Sequence, residues 1–179
     1  MSVGCVHGRF QPFHNGHFEY FKAAYERSSH LIVGVTQYEL DILDTGSPAH
    51  RMHISENPFS YWERSQIIWA AVEAANIPRN MISVVPFPIH EPQQIRNYVD
   101  ANCVMYTTIY DKWNLDKIRR LRENGYEVCV LWRRRVKEFE GKAVRAALRA
   151  SPPSIRPMVP AGAYNKIIEI NGRGLKVRD

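Results

Sequence analysis

A chain of 179 residues, 45% of them apolar, suits one compact α/β domain with a short C-terminal extension. No apolar run can span a bilayer, and the first residues lack the basic region and cleavage site of a signal peptide, so a cytoplasmic protein is expected. The formal charge of +6, weighted to the second half, fits a polyanionic small molecule or nucleic acid and alone excludes neither.

Val3 to Val6 reads as a first strand, and Phe18 to Ser28 as a helix with Phe18, Phe21 and Tyr25 as its packing stripe. Between them lies Gly8-Arg9-Phe10-Gln11-Pro12-Phe13-His14-Asn15-Gly16-His17. A strand that turns sharply into a helix puts the helix N-terminus at the carboxyl edge of a sheet. Free backbone N–H groups and partial positive charge there suit a phosphate. Imidazoles can donate hydrogen bonds to phosphate oxygens, and Gly16 lets a phosphate approach the backbone. A single histidine at a helix start is more simply a cap or a surface residue. Two of them around a glycine, with Arg9 upstream, favour a phosphate site.

Leu31 to Thr36 is a second strand by its continuous apolar run. The polar segment Gln37 to Asn57 holds His50 and His53; without a cysteine or a carboxylate pair it reads as a solvated loop or a basic lid rather than a metal site. Ser60 and Glu63 make a capping box for a helix reaching about Ala75. Arg64 in its first turn opposes the helix dipole unless it meets an anion; a surface salt bridge is the alternative.

Met81 to Val85 is a third strand, and Pro86 to His90 leaves it at the carboxyl edge, where such sheets bind ligands. Cys103 to Tyr106 is a fourth strand. The helix from about Trp113 to Asn124 ends at Gly125, and its Lys117, Arg119, Arg120 and Arg122 read as a solvated basic face. Tyr126 to Trp132 is a fifth strand, closed by Arg133-Arg134-Arg135. A proline-rich connector from Ser151 to Pro160 leads to a final helix, Pro160 to Ile170, and a mobile tail from Asn171 is expected. Cys5, Cys103 and Cys129 sit in strand-like runs and read as buried thiols. Strands alternating with helices imply an α/β fold with a mostly parallel sheet. The expected organisation is a main domain over residues 1–150, with residues 151–179 packed on it as helix and tail.

Gly8-Arg9-Phe10-x-Pro12-x-His14-x-Gly16-His17 resembles the signature of the nucleotidylyltransferase superfamily, with its H-x-G-H motif, and in particular that of the archaeal-type nicotinamide mononucleotide adenylyltransferases. The resemblance implies a Rossmann-like, doubly wound parallel sheet that joins the α-phosphate of a nucleoside triphosphate to a phosphorylated acceptor and releases pyrophosphate. It implies that His14 and His17 hold the triphosphate, with His17 near the α-phosphate, and that Gly8, Arg9, Phe10 and Gly16 belong to the nucleotide site. Glu56-Asn57-Pro58-Phe59 with Glu63-Arg64 is similar to a second family stretch, which would turn Asn57 and Arg64 to the nucleotide. Phe139 to Arg145 lies where the family has its other signature; Gly141 and Arg145 match it, while Glu140 and Lys142 stand at its hydroxyl positions. Lys142 and Arg145 would neutralise phosphate oxygens, with Mg2+ carried by the triphosphate and no metal site of protein ligands.

The chain departs from the family at the acceptor. A tryptophan that stacks on nicotinamide is missing, with Arg96 standing about there, and Thr107-Thr108-Ile109 replaces a Ser-Gly-Asn turn. Arg96 could hold an acceptor phosphate or carboxylate, and Trp113 could stack on a ring. The expected function is transfer of AMP from ATP to a phosphorylated acceptor, first of all nicotinamide mononucleotide, in NAD biosynthesis. The alternatives are a cytidylyltransferase using CTP and a phosphorylated alcohol or phosphonate, and a nucleotide-binding regulator with weakened catalysis. Expected partners are ATP, the acceptor and further copies of the chain, with neither membrane nor nucleic acid.

Overall fold

The structure, a computed structural model, describes residues 1–39 and 56–173. Two compact units divide the chain. The first holds Met1–Gly8, Glu19–Thr36 and Asn80–Glu138; the second holds the described residues of Arg9–Phe18, Gln37–Arg79 and Phe139–Asp179.

The first unit is built on strands β1 (Ser2–Gly8), β2 (Ser28–Val35), β3 (Ile82–Pro86), β4 (Val104–Ile109) and β5 (Glu127–Arg133). They form one parallel sheet in the order β3-β2-β1-β4-β5, in keeping with the α/β, Rossmann-like fold class expected. β1 is central and buried from Gly4 to His7, which explains its unbroken small and apolar run. The chain winds outward from β1 to β3, then crosses back to place β4 on β1's other side. Open sheets of this kind bind ligands at that reversal, beyond the carboxyl ends of the strands.

The β1–β4 ladder is short, pairing only Gly4 with Val104 and Cys5 with Met105. Beyond it the Tyr20 hydroxyl accepts from the His7 N–H and donates to the Tyr106 carbonyl. A buried hydroxyl thus satisfies both backbone groups where the strands part. Beneath lies a core of Cys5, Phe87, Ile89, Ile95, Val99, Cys103, Met105, Leu121 and Tyr126. Cys5 and Cys103 are buried free thiols as expected, and burial pushes both thiols up, Cys103 to about 12.

Helix α3 (Lys112–Glu123) packs on this sheet. Asp111 caps it and Asn114 returns the bond to Asp111 N–H, a reciprocal box that the sequence reading did not pick out. Its basic residues do not share one solvated face. Arg119 and Arg122 are exposed, whereas Lys117 and Arg120 are half-buried beside Trp113. Positions 113, 117 and 120 fall on one side of a helix, which flanks the buried side carrying Ile118 and Leu121.

Two further expectations shift. The first helix, α1, runs Asn15–Tyr25, beginning inside the motif rather than at Phe18, because His14 caps it. Ser28, expected as its end, opens β2. β4 continues through Thr107, Thr108 and Ile109, so the stretch replacing the family's turn is strand, as its β-branched residues favour.

The second unit is helical. Helix α2 (Tyr61–Ala74) starts at the expected box: Glu63 N–H donates to Ser60 Oγ at 3.2 Å, and Ser60 N–H to Glu63 Oε2 at 2.7 Å. Helix α4 spans Gly141–Ala150, and helix α5 spans Ala161–Gly172 and packs on α2. Gly162 permits that packing, since a β-carbon there would lie 1.9 Å from the Ala70 carbonyl oxygen. Among the described residues no helix is long and apolar enough to cross a membrane. His50 and His53 lie outside the described residues, as does the tail beyond Arg173.

Candidate active site

The second unit brings three distant segments together: Arg9–His17, Glu56–Arg64 and Phe139–Arg145. His14 is the last residue before α1, and its carbonyl accepts the first helical bond, from Phe18 N–H. The two histidines cap the helix reciprocally. His17 N–H donates to His14 Nδ1 at 3.3 Å, and His14 N–H donates to His17 Nδ1 at 3.4 Å. The two rings stack with centroids 3.6 Å apart. An Nδ1 that accepts a bond carries no proton, so each neutral ring is the tautomer with its hydrogen on Nε2. The cap therefore engages both Nδ1 atoms and puts the N–H of each neutral ring at Nε2.

Gly16 lies against this pair. A β-carbon there would come within 3.3 Å of His14 Cε1 and 3.4 Å of Phe139 Cβ. Phe10 and Phe13 frame His17, their ring centroids 5.0 and 6.0 Å from it. Phe10 holds a positive φ of 53°, unusual for a bulky side chain, and its buried ring fixes it there. Asn15 ties the helix start to the chain before α5 through bonds to the Pro157 and Met158 carbonyls.

Gln11, part of the quoted motif but given no role at the site by the sequence reading, joins two segments. Its amide donates to the Phe59 carbonyl at 2.7 Å and accepts from Phe59 N–H at 3.0 Å, as a strand neighbour would. Arg9 reaches Asn57 Oδ1 at 3.4 Å. Arg64 is fully buried. Its Nε donates to the Ser60 carbonyl, and its two terminal nitrogens donate to the carbonyls of Arg9 at 2.8 Å and Gln37 at 2.7 Å. The negative partner that its place in the first turn required is thus a set of backbone oxygens. Burial, then the like charge of Arg9, pulls this guanidinium down to about 10.

Arg145 is also buried. It donates to the Gln11 carbonyl at 2.7 Å and pairs with Glu56, while its Nε has no partner among the described residues. Burial lowers it and Glu56 works against that shift. Glu140 stands at the N-cap of α4 without a side-chain capping bond. The first N–H groups of α4 and the exposed Lys142 complete a second helix start rich in donors. No three metal-ligating side chains gather among the described residues, so these residues form no cage for a cation of their own. Arg96 and Trp113 lie in the sheet unit. Arg96 donates to the Asn124 carbonyl at 3.1 Å, and the Trp113 ring stacks with His90 and carries Arg120 at 5.4 Å.

A parallel sheet of this order and an H-x-G-H helix start are what the resemblance to the nucleotidylyltransferase superfamily implies. The chain belongs to the cytidylyltransferase-like family, whose model matches residues 5–142. It is 33% identical to the phosphonoformate cytidylyltransferase of Streptomyces viridochromogenes over 164 residues, 90% of this chain and 89% of the relative. It is 27% identical to the nicotinamide-nucleotide adenylyltransferase of Saccharolobus solfataricus over 173 residues, 96% of this chain and 93% of the relative. Its fold is similar to that of a bifunctional NMN adenylyltransferase/ADP ribose pyrophosphatase from Francisella tularensis complexed with AMP and a manganese ion, at a TM-score of 0.71 and 18% identity; 97% of this chain covers 50% of that one. The chain thus spans half the length of that solved structure.

Proposed function

We propose that the chain transfers the cytidylyl group of CTP to a small phosphonate and releases pyrophosphate. The observation that supports the reaction class is that hydrogen bonds tie Arg9–His17, which carries the reciprocal histidine cap, to Asn57 and Phe59 and to Arg145 of α4. The choice of acceptor draws on the full-length relative that acts on phosphonoformate, and on Arg96 standing where a nicotinamide-stacking tryptophan is expected.

A phosphonate oxygen is already an anion at neutral pH, so no side chain need deprotonate it. It attacks the α-phosphorus; the bond from that phosphorus to the β-bridging oxygen breaks, and pyrophosphate leaves with the electron pair. The protein's work is alignment and stabilisation of spreading negative charge. His17 donates to the α-phosphate and His14 to its neighbour. Lys142 reaches the β- and γ-phosphates. Arg9 and Asn57 bind together at the nucleotide. Magnesium enters as part of the triphosphate substrate. Arg64 and Arg145 are positioning residues, setting the backbone of Arg9, Gln37 and Gln11 from beneath.

A second reading is adenylyl transfer from ATP to nicotinamide mononucleotide. The Gly8 to His14 sequence and the adenylyltransferase relatives favour it. Pyrophosphate release from CTP or ATP, each with phosphonoformate or nicotinamide mononucleotide, separates the two. Release should be fastest with CTP and phosphonoformate. Release with ATP and nicotinamide mononucleotide alone would establish the second reading. Tight triphosphate binding with no release from any pair would favour a nucleotide-binding regulator.

A further inference from the structure

Three stretches of the second unit carry the groups assigned to the phosphates: the histidine cap in Arg9–His17, Asn57 ahead of α2, and Lys142 at the start of α4. Gln11 touches all three stretches. It is 2% exposed, and its side-chain amide donates to the Phe59 carbonyl at 2.7 Å and accepts from Phe59 N–H at 3.0 Å. One side chain thus satisfies both backbone groups of a residue that is itself 3% exposed. The Gln11 carbonyl accepts from Arg145 of α4 at 2.7 Å. A β-carbon on Gly141, the first residue of α4, would come within 3.3 Å of that same oxygen. Buried and engaged in this way, the Gln11 side chain acts on a ligand only through its neighbours.

These contacts have a register. Arg9 reaches Asn57 Oδ1 at 3.4 Å, and two residues on Gln11 reaches Phe59, so residues 9 and 11 match 57 and 59 in parallel order. The carbonyls of Arg9 and Gln11 are each held by a buried arginine, Arg64 and Arg145. His14 follows Gln11 by three residues. A slip of Gln11 along Phe59 would therefore move the histidine cap relative to Asn57 and to the start of α4 together. Reactions that depend on alignment are sensitive to such a slip: a misplacement of about 1 Å can cost about a hundredfold in rate. The charged neighbours already have partners: Arg145 holds Glu56, Arg9 holds Asn57 and Arg64 holds backbone carbonyls. What the Gln11 amide supplies is a neutral donor and acceptor pair at a fixed spacing.

We infer that Gln11 is a positioning residue for the transfer. Its side chain stands in for a strand partner of Phe59, its carbonyl seats α4, and together they set the histidine cap against Asn57 and the α4 start. That the placed groups act on a triphosphate rests on the transfer reading above.

Gln11→Met keeps the length of the side chain and removes both bonds to Phe59. The single-turnover rate constant for pyrophosphate release from CTP and phosphonoformate should fall by about tenfold to a hundredfold, while CTP affinity changes by less than about threefold. That rate constant does not depend on how much of the sample is folded, so a purely structural role would lower the melting temperature and the amplitude and leave it unchanged. Gln11→Glu gives a second reading. A protonated carboxyl can donate to the Phe59 carbonyl and accept from its N–H, whereas an ionised one only accepts. Burial raises a carboxyl above its ordinary range, so the Gln11→Glu rate, relative to wild type at the same pH, should climb as pH falls from about 8 to about 6. The Gln11→Met deficit should be the same at each pH. A rate constant within about twofold of wild type in Gln11→Met, or a Gln11→Glu deficit that does not shrink as pH falls, would overturn the assignment. A wild type that releases no pyrophosphate from any substrate pair would sink the transfer reading alone. Nitrogen-15 signals of the His14 and His17 rings then report the placement: they should shift in Gln11→Met, and unchanged signals would overturn it.

Discussion

Replacing His17 with alanine is expected to lower the rate of pyrophosphate release by about a hundredfold or more, the loss seen when a donor that stabilises transition-state charge is removed. His17 Nδ1 is occupied by the His14 N–H, so Nε2–H is the face that can meet a phosphate. Alanine deletes that donor while Gly16 and the backbone stay in place. Charge on the α-phosphate oxygens grows as pyrophosphate departs. The rate of the bound complex should therefore fall far more than triphosphate affinity does. The variant also loses one capping bond, which costs about 1 kcal/mol. That is a small part of the roughly 5–15 kcal/mol that holds a domain folded. Single-turnover kinetics beside a thermal melt separates the two effects. Near wild-type turnover in a folded variant would remove His17 from the chemistry.

Arg64→Met is expected to give the largest stability loss of any single change at the site, about 3 kcal/mol by urea denaturation. One guanidinium donates to the carbonyls of Arg9 and Gln37, and to the Ser60 carbonyl that also accepts the Arg64 N–H; the loss falls on the first two, partly buried carbonyls, at about 1–3 kcal/mol for each left unmet. Relief of burying a cation offsets part of this; that burial is what pulls Arg64 down to about 10. Arg64→Lys should not restore the loss, because one ammonium cannot span three carbonyls in a fixed fork. Triphosphate binding should weaken in parallel, since Arg9 hangs from the same clamp. A change within about 0.5 kcal/mol, the range of an ordinary surface substitution, would show that the clamp carries no stability.

The features legible in the sequence are those written in local periodicity. Mostly apolar runs marked all five strands, and the run from Leu31 to Val35 is unbroken because β2 lies inside the parallel sheet. The Ser60–Glu63 box marked the start of α2 because both partners lie within one helical turn. The H-x-G-H stretch pointed to a helix start for the same reason, and the structure adds that the histidines themselves are its cap. That cap moved the start of α1 three residues ahead of its apolar stripe.

Features set by partners far along the chain were not legible. Gln11 reads as one polar residue in an aromatic stretch until Phe59 is placed beside it. Arg145 matches a family signature in the sequence, but its bonds to Glu56 and to the Gln11 carbonyl are made by partners far along the chain and are not legible there. The half-burial of Lys117 and Arg120 beside the buried side of α3 is hidden in a count of its basic residues. His7 looked like part of a strand, and only the structure shows that its ring nitrogens meet no hydrogen-bond partner among the described residues.

The stereochemistry at phosphorus tests direct transfer most closely. CTP carrying a single α-thio diastereomer, reacted with phosphonoformate labelled with oxygen-18 on phosphorus, reports both bonds at once. One in-line displacement predicts inversion at the α-phosphorus, labelled oxygen in the new bridge and unlabelled pyrophosphate. Retention of configuration would mean two displacements through a covalent enzyme intermediate, and would contradict a site whose histidines meet the phosphates as hydrogen-bond donors rather than as nucleophiles.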